Sequence, residues 1–111
     1  MTMYLLRIND FTHAHGENPL LAFQGASPEA LAKVLADALQ QPRLFELWRQ
    51  QQEDPDKIDP ALGHTDDTTT VVAEQHDLHV ELQVRTRLPH RILKQRLNWL
   101  IGHSWELCDV R

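Results

Sequence analysis

The chain has little of what several common classes of protein require. It contains one cysteine, Cys108, in 111 residues, which excludes an internal disulfide and a zinc framework built from cysteine and histidine. No apolar run approaches the ~20 residues of a membrane span. The first residues also lack the basic region, apolar block and cleavage site of a signal peptide. We therefore expect a cytoplasmic protein with a reduced thiol and no membrane segment.

Catalytic motifs are missing as well. The sequence has no G-x-S-x-G nucleophile elbow, no glycine-rich phosphate loop and no H-E-x-x-H metal motif. His90, Asp77, Ser104 and Cys108 are residue types that enzymes use, but no activating spacing connects them. We therefore predict no catalytic residues and no cofactor. An enzyme with a histidine base is the least supported of the functions considered.

Charged residues are unevenly distributed along the sequence. A length of 111 residues and a hydrophobic content of 41% fit a single domain, residues 1–111, with one core. The net charge is −5, yet residues 53–67 hold six acids and one lysine, whereas residues 83–99 hold five basic residues and no acid. Net acidity and the absence of aromatic residues from the outward side of strand 78–84 argue against nucleic acid as a partner.

Hydrophobic periodicity predicts both strands and helices. Alternating apolar residues predict strands at 3–11, 68–75, from 78 onward and 104–110, with an additional short N-terminal strand at 20–24. The second and third long strands meet across the two residues His76 and Asp77, which fits a tight hairpin. We therefore expect a sheet that contains at least one hairpin.

Two helical regions are marked by their ends. Ser27 followed by Pro28 is typical of a helix start, and Pro42 ends that helix or begins a new segment. A second helix runs from Pro89 to Ile101, with glycine as its stop. The apolar stripes expected to face the core are Leu31, Val34, Leu35, Ala38 and Leu39 in the first region, and Ile92, Leu93, Leu97, Leu100 and Ile101 in the second.

The order of elements predicts the fold class. It is an α+β protein whose antiparallel sheet has two helices packed on one face, in a ferredoxin-like βαββαβ arrangement with the extra N-terminal strand. The acidic segment 53–67 has few apolar anchors, and a loop of this length is usually either mobile or functional; a mobile loop is the favoured interpretation.

A basic run marks the junction between the third long strand and the second helix. Arg85, Arg87, His90 and Arg91 surround the predicted helix start, where free backbone N–H groups and arginines bind anions. The favoured alternative is structural: Arg91, Lys94 and Gln95 form the solvated face of the helix, while Arg85 and Arg87 pair with Glu81, Glu74 or the acidic loop.

Seven histidines invite a metal interpretation. His13 and His15 form an H-x-H pair in a loop and are the best candidate ligands. His76 and His79 are three apart, which on a strand places them on opposite faces unless the turn is distorted. His64 near Asp66 is a third, mixed candidate. Exposed histidine in loops and turns, without any metal, is the favoured interpretation.

Interaction with another protein is the function that these observations favour. Trp99 lies beside the apolar stripe of its helix and is a candidate interface residue. We expect a non-enzymatic interaction module that forms a homodimer and binds a protein partner. The alternative is a small anionic-ligand-binding domain that uses the junction 85–91.

Overall fold

Four strands and three helices follow one another along the chain. The computed structural model describes residues 1–111. The elements are β1 (Thr2–Ile8), α1 (Pro28–Gln40), α2 (Arg43–Gln50), β2 (Thr70–Gln75), β3 (Val80–Thr86), α3 (His90–Ile101) and β4 (Glu106–Val110). The predicted α+β class is confirmed. None of the helices has the length and apolar character that a bilayer crossing requires.

All four strands form one antiparallel sheet in the order β2-β3-β1-β4. The central pair, β1 and β3, is in register from Thr2 opposite Thr86 to Ile8 opposite Val80. Strand β2 pairs with β3 on one side, and β4 pairs with β1 on the other. Strands β2 and β4 are therefore the two edges of the sheet.

The core lies on one side of the central strands. Alternate residues of β1 and β3 share a single buried cluster with residues from α1 and α3. The strand residues are Tyr4, Leu6, Ile8, Val80, Leu82 and Val84, and the helix residues include Leu31, Leu35, Leu39, Leu93, Leu97 and Ile101. The period of two in the strands and of three to four in the helices places these side chains on the inner surfaces.

The start of α1 follows its predicted chemistry. The Ser27 hydroxyl accepts a hydrogen bond from the Ala30 amide at 3.1 Å, and Pro28 occupies the first turn. The helix ends at Gln40, and α2 begins directly after Pro42. The predicted burial of Val34 is wrong: its side chain is 39% exposed because it lies at the edge of the apolar stripe.

The predicted strand at 20–24 is absent. The backbone amides of Leu21 and Ala22 both donate to the Asn18 carbonyl, and the Phe23 amide donates to the carbonyl of Leu100 in α3. These bonds form a turn and a tie to a helix end instead of a strand ladder. Leu21 and Phe23 are still buried, which explains the strand-like alternation in this segment.

The hairpin connection is longer than predicted. Strand β2 ends at Gln75 and β3 begins at Val80, so four residues, 76–79, join them. The His76 amide donates to the His79 carbonyl at 2.8 Å and closes the turn. Leu78, which the alternation assigns to a buried face, is 86% exposed at the tip of this turn.

The acidic segment 53–67 contains regular structure. Two short 3-10 helices, Pro55–Lys57 and Pro60–Gly63, follow α2. The Asp59 carboxylate caps the second by accepting from the Ala61 amide at 2.9 Å. Further along, the Asp66 amide donates to the Leu39 carbonyl at the end of α1. This segment is therefore bonded to the folded domain.

Candidate functional site

The largest pocket forms where the loop before α1 wraps around the end of α3. The amides of Gly16 and Phe23 both donate to the Leu100 carbonyl, at 3.1 and 2.8 Å. A Cβ atom on Gly16 would lie 2.2 Å from the Trp99 carbonyl oxygen, so only glycine allows this approach. Gly102 ends α3 with a φ of 64°, a conformation that glycine adopts readily.

The pocket has a volume of about 380 Å³ and a mixed polar and aromatic lining. This volume lies in the range of small-molecule sites. The side chains around it come from the loop before α1, from α2 and from the end of α3. They are His15, Glu17, Asn18, Leu21, Trp48, Asn98, Trp99 and His103, with Gly102 completing the wall.

Stacked aromatic rings and a buried arginine support one wall of this pocket. The rings of Trp48 and Trp99 stack with centroids 5.1 Å apart and planes inclined by 25°. The guanidinium carbon of Arg96 lies 5.4 Å from the Trp99 centroid and 5.8 Å from that of Phe45. Both distances fall within the range of cation–π attraction. The aromatic wall therefore partly compensates the charge of Arg96.

Arg96 is fully buried and has no carboxylate partner. Its guanidinium donates to the carbonyls of Ala38, Leu62 and His64, at 3.3, 3.2 and 3.1 Å, and to the Gln95 side chain. Burial lowers the pKa of Arg96 to about 10, so the side chain stays charged at neutral pH. Its contacts connect α3 with α1, with the second 3-10 helix and with the residue that follows that helix.

Sequence reasoning counted Arg96 only as one charge in a basic stretch. Position 96 lies three residues after Leu93 and four before Leu100, inside the apolar stripe of α3. An arginine within a buried stripe is the signal that the sequence offers for this residue. Its carbonyl partners are far away in sequence, so no sequence pattern identifies them.

Asp66 is a second buried polar residue. Its carboxylate accepts hydrogen bonds from the hydroxyl and amide of Thr68, from the amide of Arg87 and from the hydroxyl of Thr86. The Thr68 hydroxyl bond, followed by the Arg87 amide bond, lowers the pKa of Asp66 well below its usual range. The carboxylate joins the acidic segment to the end of β3 and does not form a site with His64.

The four residues predicted to bind an anion are all exposed. Arg85 lines a pocket of about 360 Å³ with Met1, Met3 and Arg111, and this pocket includes none of the other three. His90 lies against Tyr4, with ring centroids 6.0 Å apart. The predicted ion pairs of Arg85 and Arg87 with Glu81, Glu74 or the acidic loop are absent. None of the ion pairs in the structure includes either arginine.

The histidine pair predicted to bind a metal is split between two surroundings. The Nδ1 atom of His13 lies 3.0 Å from both carboxylate oxygens of Asp10. The Nδ1 atom of His15 lies 3.4 Å from the Phe23 carbonyl oxygen, and its side chain lines the 380 Å³ pocket. Neither histidine belongs to a group of three metal-ligating side chains.

Trp99, the candidate interface residue, is half-buried. Its ring lies between neighbours of its own chain, Trp48 and Arg96, and forms part of the pocket wall. The structure therefore places Trp99 at the rim of the 380 Å³ pocket.

The histidines of the β2–β3 turn converge, contrary to the prediction. The four-residue turn brings the rings of His76 and His79 into a stack with centroids 4.7 Å apart. Glu81 joins them, and the ligand atoms of the three residues all lie within 4.8 Å of one another. No other part of the molecule gathers three side chains of this kind. The spacing of three does not separate them, because His76 and His79 lie opposite each other on the two sides of the turn, in the register of the pair Gln75 and Val80.

Comparisons with known proteins add no constraint. No family model, no curated protein and no solved structure matches the chain.

Proposed function

We propose that the chain is a non-enzymatic interaction module that works as a homodimer, and that two copies pair through the free edges of β4. The observation that carries this proposal is the placement of Leu107 and Val110. Leu107 lies opposite the buried Leu6, and Val110 lies opposite the buried Tyr4, so both are on the core side of the sheet. They are nevertheless 38% and 50% exposed.

A bulge creates this apolar pair. The register between β1 and β4 shifts so that Leu5 faces Asp109 while Leu6 faces Leu107, which leaves Cys108 as the extra residue. Two residues three apart normally point to opposite faces of a strand. Because of the extra residue, Leu107 and Val110 share one face and form a continuous apolar strip along the edge.

The strip is self-complementary. Antiparallel pairing of two β4 strands about a two-fold axis between Cys108 and Asp109 sets Leu107 opposite the partner's Val110. The same register sets Glu106 opposite the partner's Arg111. Each contact occurs twice, as a symmetric dimer requires. Apolar and opposite-charge cross-strand pairs each stabilise such a ladder by about 0.2–1 kcal/mol.

The edge itself is open. All five residues of β4 are exposed, so one row of backbone N–H and C=O groups has no neighbouring strand. An uncovered edge of this kind is a template for pairing with another strand. A second copy of β4 satisfies these groups and covers the apolar strip in one step.

The test is the mass of the protein in solution. We expect wild type to be a dimer by light scattering coupled to size exclusion. Val110→Lys makes it monomeric, because the substitution places a charge in the strip. Leu78→Lys is the matched control, since Leu78 is 86% exposed at the opposite sheet edge and lies outside the strip. A monomeric wild type, or a Val110→Lys variant as dimeric as Leu78→Lys, contradicts the proposal.

Unpaired charge supports a further protein partner. Arg85, Arg87, Arg91 and Lys94 are exposed and take part in none of the ion pairs that the structure contains. Opposed surface charges accelerate association and set its salt dependence. An acidic protein surface is the partner that this cluster favours.

The ferredoxin-like arrangement is part of the same proposal. The antiparallel order β2-β3-β1-β4 supports it, with α1 between β1 and β2 and α3 between β3 and β4. The cluster that α1 and α3 share with one set of strand residues supports packing of both helices on one face. Helix α2 is then an addition to the basic pattern.

The single exposed thiol, Cys108, fits a reducing cytoplasmic compartment.

Binding of a small anionic ligand is the second candidate. It is favoured by hydrogen-bond donors in the 380 Å³ pocket. Trp105 is the one tryptophan whose indole N–H has an acceptor, the Asn98 side-chain oxygen at 3.0 Å. That bond directs the amide group of Asn98, while the indole N–H groups of Trp48 and Trp99 remain available.

Thermal stabilisation by inorganic phosphate and by a dicarboxylate tests this candidate. If the pocket binds the anion, Asn98→Asp removes the stabilisation and the Arg87→Ala, Arg91→Ala double variant retains it. If the strand–helix junction 85–91 binds it, the two results are reversed. A wild type that neither anion stabilises contradicts both sites.

A further inference from the structure

The turn between β2 and β3 places three metal-ligating atoms around one point. The Nε2 atom of His76 lies 3.3 Å from the Glu81 carboxylate oxygen Oε2, and the Nε2 atom of His79 lies 3.8 Å from the same oxygen. Each of the three side chains is partly buried. The arrangement follows from the four-residue turn, which sets His76 and His79 side by side above the first residues of β3.

One of these atoms lacks a hydrogen-bond partner. His76 Nε2 is the one buried side-chain polar atom in the molecule without a hydrogen bond. A carboxylate oxygen lies close to it, but the two do not meet in hydrogen-bond geometry. A neutral imidazole nitrogen with a free lone pair and a carboxylate oxygen repel each other unless a positive species lies between them.

The surrounding charge also favours a cation. Glu74 lies directly opposite Glu81 in the β2–β3 ladder, and like charges at such positions destabilise a sheet. The Glu74 oxygen Oε1 is 3.9 Å from His76 Nε2. Neither glutamate pairs with a lysine or arginine, and Arg7, which faces Glu81 from β1, pairs with Glu106 instead. The partners of Glu74 and Glu81 within 4.0 Å are therefore the two histidines alone, with no lysine or arginine among them.

We propose that His76, His79 and Glu81 bind a divalent transition-metal ion of the zinc class. Ligand atoms bound at about 2.0–2.2 Å in a tetrahedral site lie roughly 3.3–3.6 Å from one another. The two distances to Glu81 Oε2 are 3.3 and 3.8 Å, and all three ligand atoms lie within 4.8 Å of one another, so the stacked histidine rings must turn towards a common point to complete the geometry. Two imidazoles and one carboxylate suit zinc, whereas calcium and magnesium prefer oxygen ligands throughout. Water occupies the remaining position, because the turn is open to solvent.

The metal site does not depend on the proposed dimer. It lies at the turn that leads from the β2 edge, while the apolar strip is on β4 at the other edge. The monomeric variant Val110→Lys is therefore expected to bind the ion as wild type does. A result that contradicts the β4 dimer therefore does not contradict the metal site, and the reverse also holds.

The experiment is a titration of the full chain, freed of metal, with Zn²⁺ in competition with a chromophoric chelator. We expect wild type to bind one equivalent. His79→Gln, which keeps size and polarity, should weaken binding at least ~10-fold, since even outer-shell changes have effects of this size. The double variant His13→Ala, His15→Ala is the matched control and should bind as tightly as wild type.

A second measurement keeps the result separate from misfolding. Co²⁺ substituted for Zn²⁺ gives intense visible absorption bands when it is four-coordinate, and His76→Gln should abolish these bands while circular dichroism stays unchanged. The proposal is overturned if wild type binds no Zn²⁺, if His79→Gln binds as tightly as wild type, or if the control variant loses the ion.

Discussion

Arg96 donates a hydrogen bond from its guanidinium to the carbonyl oxygen of His64, 3.1 Å away. The same guanidinium also donates to the carbonyls of Leu62 and Ala38. One side chain therefore supplies the hydrogen-bond donors that these carbonyls, in the second 3-10 helix and in α1, do not find in the backbone. Carbonyl groups that lose their donors in a buried site each cost about 1–3 kcal/mol. The conformation of the segment after α2 therefore depends on a residue of α3.

We expect Arg96→Ala to lower the free energy of unfolding by at least about 2 kcal/mol, because it leaves the buried Ala38 carbonyl without this donor, removes the bonds to Leu62 and His64, and opens a cavity. Arg91→Ala is the control: it removes the same charge from an exposed position of the same helix and should change stability by less than about 0.5 kcal/mol. Chemical denaturation measures both. Equal effects of the two substitutions would show that charge alone matters.

Asp66 should make stability depend on pH. Its carboxyl has a depressed pKa in the folded state, so its contribution is present above the ordinary value of 3.8 and is lost as the pH falls below that value. We expect Asp66→Asn to be less stable than wild type at pH ~7, with the difference shrinking towards pH ~3. Asp67→Asn, at an exposed neighbouring position, should follow the wild-type curve. A constant difference between wild type and Asp66→Asn across this range would contradict the assignment.

Gly16 should tolerate no side chain. A Cβ atom there would overlap the Trp99 carbonyl oxygen at 2.2 Å, so Gly16→Ala must displace the loop from the end of α3. We expect a loss of about 1–3 kcal/mol in stability and a shift in tryptophan fluorescence as the pocket opens. Gln24→Ala, an exposed change in the same loop, serves as the control. Unchanged fluorescence in Gly16→Ala would show that the loop is not held in this position.

The β4 dimer predicts a cross-link. In the proposed pairing, Cys108 of one copy lies opposite the partner's Asp109 and diagonally next to the partner's Cys108, so the dimer holds the two thiols near each other, as a disulfide requires. Mild oxidation of wild type should yield a covalent dimer on a non-reducing gel. Val110→Lys should yield little of it at the same protein concentration. Equal cross-linking of the two proteins would indicate random collision of exposed thiols.

Much of the fold was predictable because its local signals agree with one another. The apolar stripe of α3 gives Ile92, Leu93, Leu97, Leu100 and Ile101 as buried, and all five are. The start of α1 is equally clear, since Ser27 and Pro28 act within one turn of the chain. The buried alternation of Val80, Leu82 and Val84 is likewise a property of a few consecutive residues.

The missed features depend on partners distant in sequence. The segment 20–24 has a strand-like pattern, but its amides bond to Asn18 and Leu100, which no local rule reveals. The alternation predicts a two-residue turn, because Leu78 continues the apolar pattern of β3. In the structure the Leu78 side chain is exposed, because the β2–β3 ladder ends at the pair Gln75 and Val80. His76 and His79 converge because the register of Gln75 and Val80 sets them opposite each other, and the His76 amide donates to the His79 carbonyl.

The two amides that meet at the Leu100 carbonyl bear on how the chain acquires its structure. Gly16 and Phe23 lie before α1, whereas α3 follows β3, so two helices and two strands separate them along the chain. Contacts across so long a stretch of chain form late, because the intervening segment must first be ordered. On a ribosome, the early loop therefore has no helix end to pack against until α3 has emerged.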